Sequence, residues 1–224
     1  MSTTEGGRRI ITDSLILYLD AGNPKSYIGT GTSITDLSNG NNNSTFIGSV
    51  SFSGSNGGVF VINGLGNYIN CGGPNNDGLD TDSFTIACWF KGGGYTICRG
   101  NDGGFGAGWS MILNSGGFSV VVNGSNYPCN FSTVINTNIW NFCVGVYNRP
   151  TGVLKCYVNG ILSNTTNSAA NGTLRSSTRG FVIGTNAPSL SSFSGVIGNT
   201  FAYNRVLSDA EILKCYNITK SRYL

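Results

Sequence analysis

The stretch "IWNFCVGVYNRPTGVLKCYVNGIL", Ile139 to Leu162, decides the fold class. Its first half alternates, placing Trp140, Phe142, Val144 and Val146 on one side of an extended chain, which is the two-residue period of a strand. Asn148, Arg149, Pro150 and Thr151 then form a turn, and "GVLKCYV" runs back, so the two segments pair as a hairpin whose register follows the apolar face. The dipeptide Asn159-Gly160 is the signal of a type I′ turn, because both positions tolerate positive φ, and it sends the chain back a second time.

Outward from this hairpin the same grammar repeats. "SLILYLDAGNPKSY" (Ser14 to Tyr27) is an apolar run closed by Gly-Asn-Pro and reads as a strand covered on both sides. Further strands are expected at Val59 to Ile62, Tyr68 to Cys71, Phe84 to Phe90, Tyr95 to Cys98, Trp109 to Leu113 and Phe118 to Val122, and then in "GFVIG" and "SGVIGNTFAY". Gly-, Asn- and Ser-rich turns separate them. More than ten short strands with no helix between them predict an all-β fold, a sandwich of two antiparallel sheets. Leu15, Leu17, Leu19, Phe60, Ile62, Phe84, Ile86, Trp89, Trp140, Phe142, Val144, Tyr157, Val158, Ile197 and Phe201 are expected between the sheets.

The chain finishes differently. In "NRVLSDAEILKCYN", Ser208 and Glu211 stand at N-cap and N3 spacing, a capping box, while Leu207 and Ile212 fall at the staple positions. Asp209 in the first turn and Lys214 further along suit the macrodipole. Two turns of helix are predicted, with Ile212, Cys215 and Tyr216 on one apolar face. This helix is a structural clip.

Composition narrows the function. Only 10% of the 224 residues are charged, with a net charge of +3, and the basic residues are scattered apart from Arg8-Arg9, so no stripe exists to track a phosphate backbone and nucleic acid is excluded as a partner. The start lacks the apolar core of a signal peptide, and no run reaches the length of a membrane span, so synthesis in the cytoplasm without membrane insertion is expected. Seven cysteines form no C-x-x-C pair. They read as buried structural thiols, not as a disulfide framework or a zinc site.

Read together, "LILYLDAG", "NYINCG", "FTIACWFK", the stretch quoted first and "FSGVIGNTFAYNRVLSDAEI" resemble the laminin G-like, concanavalin A-like jelly-roll domains over residues 14 to 218. The resemblance implies a concanavalin A-like jelly roll in which the last strand lies beside the first and the short helix covers an edge or end of the core. It divides the chain into an arm (1–12), a sandwich (13–218) and a tail (219–224). "LYLDAGNPKSY", "TDLSNGNNN" and the terminal "TKSRY" also resemble structural proteins of tailed phages and other marine viruses.

Several proteins of this fold are glycoside hydrolases, which need two closely placed carboxylates. Here the ten carboxylates include no E-x-D-x-x-E strand pattern, and Glu211 is committed to the capping box. Asp80 and Asp82 form a spaced pair in "GLDTDSF", where turn chemistry is the stronger reading. With no histidine the commonest base and metal ligand are missing, so no enzymatic activity is expected. Members that bind calcium do so at a loop rim. The candidate ligands here are Asp77 and Asp80 in one loop and Asp102, beside Asn101, in another, although neither loop maps onto the ligand set of the family and a plain turn accounts for both.

Two functions follow. One is a non-enzymatic virion component, a capsid decoration or tail-fibre protein that contacts other virion proteins or copies of itself, its arm ordered by a neighbouring subunit. The other is a lectin module for glycans such as host-surface polysaccharide, with Tyr95, Phe105, Trp109 and Tyr127 as stacking rings beside Asn101 and Asp102. For Trp109, which opens the run "WSMIL", core packing is the competing reading.

Overall fold

The computed structural model describes residues 10–72, 79, 83–99, 108–113, 116–122, 124–167, 174, 180–187 and 191–224. Along them run β1 (Leu15–Leu19), β2 (Ser33–Ile34), β3 (Ser44–Ile47), β4 (Ser51–Ser53), β5 (Val59–Asn63), β6 (Tyr68–Asn70), β7 (Phe84–Arg99) and β8 (Trp109–Ile112). There follow β9 (Gly117–Val122), β10 (Ser125–Asn130), β11 (Asn141–Asn148), β12 (Val153–Val158), β13 (Ile161–Thr166), β14 (Phe181–Ile183), β15 (Thr185–Ala187), β16 (Ser191–Tyr203) and the helix α1 (Asp209–Thr219).

The strands form two antiparallel layers. The first runs β13-β12-β11-β7-β16-β5-β4, with β1 on the free flank of β16. The second runs β10-β9-β8-β7-β14-β6-β3-β2. The expected hairpin forms, with Cys143 opposite Val158 and Tyr147 opposite Leu154. Asn159 and Gly160 have φ of 52° and 81°, so both central turn residues are left-handed, as a type I′ turn requires. The last strand lies beside the first, with Leu19 opposite Thr200.

β7 appears in both layers. The expectation of two strands divided by a turn at "KGGG" is overturned, because Phe84 to Phe90 pair with β11 while Tyr95 to Arg99 pair with β8. Gly92 and Gly94, with φ of 136° and 113°, carry one continuous strand across. A Cβ on Gly94 would lie 2.0 Å from the Ser192 carbonyl oxygen, so glycine is the residue that lets β16 approach there.

Between the layers Leu17, Leu19, Phe60, Ile62, Phe84, Ile86 and Ile197 bury as expected, with Val158 packed at their margin. Leu15, Trp89, Trp140, Phe142, Val144, Tyr157 and Phe201 are also buried, but elsewhere. They form a second core on the outer face of the first layer, closed by Leu207, Ile212, Cys215 and Tyr223. The clip therefore covers a sheet face, not an edge, because that face is itself a row of aromatic and branched side chains that water would otherwise meet.

Local chemistry seats the clip. The Glu211 amide donates to Ser208 Oγ at 3.3 Å and the Ser208 amide donates to Glu211 Oε2 at 2.8 Å, completing the capping box. Leu207 and Ile212 are both buried in the outer core. α1 spans eleven residues, longer than the two turns expected, and continues into a 3-10 turn at Lys220–Arg222. The last six residues do not trail away: Tyr223 is buried, its ring stacked on Trp89 and tilted against Trp140, each at 4.6 Å between centroids. At the other end Ile10 and Ile11 pack against the same core. Residues 1–9 of the expected arm lie outside the described residues.

Candidate functional site

A cleft of about 400 Å³ opens on the outer face of the first layer, beside the clip. Its floor follows from strand register. Lys91 on β7 sits opposite Val196 on β16, Val196 opposite Val61 on β5, and Val61 opposite Ser51 on β4. Period-two alternation sends Val59 and Val61 to this face while Phe60 and Ile62 enter the inner core. Gly195 adds backbone without a side chain, which deepens the floor.

Trp140 and Asn56 make the wall. The Trp140 Nε1 donates to Asn56 Oδ1 at 3.3 Å, and Asn56 Nδ2 donates to the Arg222 carbonyl at 3.1 Å. Arg222 in turn donates from Nε to the Asn56 carbonyl at 2.6 Å, donates to the Gly58 carbonyl, and pairs with Asp20. Tyr223 braces Trp140 from behind. Its hydroxyl donates to Asn199 Oδ1 at 2.6 Å and accepts from the Asn199 amide at 2.9 Å, and burial pushes that hydroxyl well above the ordinary tyrosine value, so it stays protonated. The end of the chain thus holds the cleft wall rigid.

Ser53 and Ser55 stand on the rim with their hydroxyls 3.1 Å apart, and the exposed Lys91 brings a positive charge. No carboxylate stands among the described lining residues. The described carboxylates are spent elsewhere. Asp36 accepts from the Tyr18, Ser38 and Asn42 amides and from the Ser38 hydroxyl. Asp20 pairs with Arg222, Asp13 and Glu211 flank Arg205, and Asp209 takes the Tyr157 hydroxyl at 2.7 Å and Lys155 at 3.3 Å. What the described lining residues offer is an apolar floor, two hydroxyls, an amide and one ammonium group.

The residues expected to stack on a ligand do not assemble into a site among those described. Trp109 is a core residue, 2% exposed, packed against Phe84 and Phe181 between the layers. Core packing is the reading that holds for it. Its Nε1 is buried without a hydrogen-bond partner. Tyr127 is half-buried and faces the inner core. Asn101, Asp102, Phe105 and the side chain of Tyr95 lie outside the described residues, as do Asp77 and Asp80. No group of three metal-ligating side chains occurs among the described residues. The cleft itself escapes sequence reasoning because Asn56, Lys91, Trp140 and Val196 come from four distant segments, and only the strand order brings them together.

A second hollow, about 550 Å³, runs along the outer side of α1 past Ala210, Leu213, Lys214, Asn217, Ile218 and Lys220. It presents no aromatic ring among its described lining residues.

The architecture has close counterparts. Domain 4 of AbnA, an extracellular GH43 arabinanase from Geobacillus stearothermophilus, solved with arabinotriose, superposes with a TM-score of 0.70 at 16% identity, over 92% of this chain and all of that one. The binding domain of botulinum neurotoxin DC, solved with rat synaptotagmin II, gives 0.66 at 19% identity over 93% of this chain. The binding domain of Paraclostridial Mosquitocidal Protein 1 gives 0.65 at 15% identity over 91%. This chain spans about half (52%) of either toxin chain. At such identities the likeness is one of fold. No curated protein sequence matches the chain. A family model described as the concanavalin A-like lectin/glucanases superfamily, of the laminin G type, matches residues 63–213, from the end of β5 into the first turn of the clip. With both cores, the strand order and that match in agreement, the chain belongs to the concanavalin A-like lectin/glucanases superfamily.

Proposed function

We propose that this chain is a non-catalytic carbohydrate-binding module whose ligand seats in the cleft between Trp140 and Lys91. The observation that carries this reading is the pairing of an apolar floor with a rim of hydroxyl, amide and ammonium groups and no carboxylate among the described lining residues. A pyranose has the complementary surface, a C–H face to lay on Val61, Val196 and the edge of Trp140, and hydroxyls for Ser53, Ser55 and Lys91. The binding of arabinotriose by a similar domain supports the choice of ligand class. A glycan array tests it. Binding should fall at least tenfold in Lys91→Ala and in Val61→Trp, which fills the floor, while melting temperatures hold. A silent array, or binding untouched in both variants, would overturn the proposal.

We further propose that the module works on a virus particle, as a capsid decoration or tail-fibre component with protein as well as glycan contacts. This reading starts from the resemblance noted in the sequence at "LYLDAGNPKSY", "TDLSNGNNN" and "TKSRY", and what supports it is an apolar strip suited to protein contact. Ile161 and Leu162 are 71% and 42% exposed just after the Asn159-Gly160 turn, and Leu213, 44% exposed, packs against that turn. Mass spectrometry of purified particles is the check. Their lacking the chain would exclude this role and leave the glycan reading standing.

A further inference from the structure

At one side of the sandwich two edge strands face each other across the layers, β10 from the second and β13 from the first. Two polar stitches join them, Thr166 Oγ1 donating to the Pro128 carbonyl at 3.1 Å and Asn164 Nδ2 donating to the Asn130 carbonyl at 2.8 Å, and just past β10 the Ser132 amide donates to Ser163 Oγ at 2.9 Å. Pro128 suits this place, since an edge strand tolerates a missing donor. Directly behind the seam Cys129 from β10 and Cys156 from β12 both point inward, each fully buried, with their sulfurs 3.6 Å apart.

We propose that Cys129 and Cys156 form an oxidation site that closes into a disulfide linking the two layers. A disulfide needs its sulfurs at about 2.05 Å, so the pair must approach by roughly 1.5 Å, a displacement that side-chain rotation on two facing strands supplies. The two thiols share one hydrogen bond, and that contact with Cys156 draws the Cys129 thiol below its ordinary value, which makes Cys129 the readier nucleophile of the two. With a small disulfide such as oxidised glutathione as oxidant, the Cys129 thiolate attacks one of its sulfurs, forming a mixed disulfide and expelling one glutathione thiolate. Cys156, losing its proton, then displaces the second glutathione. Two protein thiols are oxidised to one disulfide and one glutathione disulfide is reduced to two thiols. Access comes through local opening of the edge strands, the part of a sheet that opens most readily.

The test uses the full chain in two arms, folded protein held with oxidised glutathione, and protein unfolded and refolded in a mixture of reduced and oxidised glutathione. The expected product has lost the mass of the two thiol hydrogens, yields on unreduced digestion a peptide pair joined through Cys129 and Cys156, and melts about 5 °C or more higher than the reduced form. Cys129→Ala and Cys156→Ala should each abolish the cross-link, and the melting comparison of oxidised with reduced wild type needs no variant at all. Free thiols at both positions after the refolding arm, a cross-link through another cysteine, or a lowered melting temperature on oxidation would each overturn the proposal.

Discussion

Arg222 and Asp20 stand 202 residues apart in sequence and meet as an ion pair, Nη1 to Oδ1 at 2.5 Å. Asp20 also receives the Tyr18 hydroxyl at 3.1 Å and the Gly22 amide at 2.9 Å, so the end of the first strand and the end of the chain share one polar knot. Side-chain exposures of 22% and 12% make the pair mostly buried. Arg222→Ala should cost about 3 kcal/mol, because it strands a carboxylate and two carbonyls. Chemical denaturation measures this. The double variant Asp20→Asn with Arg222→Met should recover part of the loss, since the orphaned charge is what costs most.

Acid should loosen the clip at Glu211. The Arg205 guanidinium, donating to it at 2.6 and 3.0 Å, and then the capping bonds from Ser208 hold its carboxyl down to about 2, from an ordinary value of 4.5. A carboxyl depressed in the folded state stabilises above its unfolded value, and that contribution disappears as pH falls through the folded one. The melting temperature should therefore drop between about pH 4.5 and 2, and Glu211→Gln should flatten that slope while lowering the plateau at neutral pH. An equally steep acid transition in the variant would show that other carboxylates carry it.

The two fully buried indoles differ in one atom's surroundings. Trp89 Nε1 donates to Thr219 Oγ1 at 2.7 Å, whereas Trp109 Nε1 has no partner. Replacement by phenylalanine removes similar volume at both sites, but only at Trp89 does it break a hydrogen bond and leave a hydroxyl to find another. Trp89→Phe should be costlier than Trp109→Phe by about 1 kcal/mol or more in urea unfolding.

Close packing between the layers should show at Gly145. A Cβ there would lie 2.3 Å from Phe118 Cδ2, so the Phe118 ring fills the space that glycine leaves. Gly145→Ala should destabilise by about 1 to 3 kcal/mol through overpacking. Pairing it with Phe118→Leu should restore part of that, which a double-variant cycle would resolve.

The hairpin from Trp140 to Leu162 and the capping box at Ser208 were legible because both are local: alternation, a two-residue turn and a three-residue spacing lie within reach of one another along the chain. The passage of β7 across the layers was not. Its Gly92-Gly93-Gly94 run offers no side chains to alternate, so the strand looked interrupted where it was only bare. The outer core was hidden for another reason. Ala87 and Trp89 face outward while Ile86 and Cys88 face inward, so the strand is apolar on both faces and periodicity has nothing to choose between. The cleft and the Cys129–Cys156 pair depend on strand order, which contacts between distant segments determine.

β7 is hydrogen-bonded to β11 and β16 in one layer and to β8 and β14 in the other. Mechanically it is an axle common to both sheets. A load applied to either one is transmitted along a single covalent backbone to the other, so the layers cannot shear apart or peel away one at a time. Pulled, heated or denatured, such a body yields as one piece, and an edge that loosens does so without taking the axle with it.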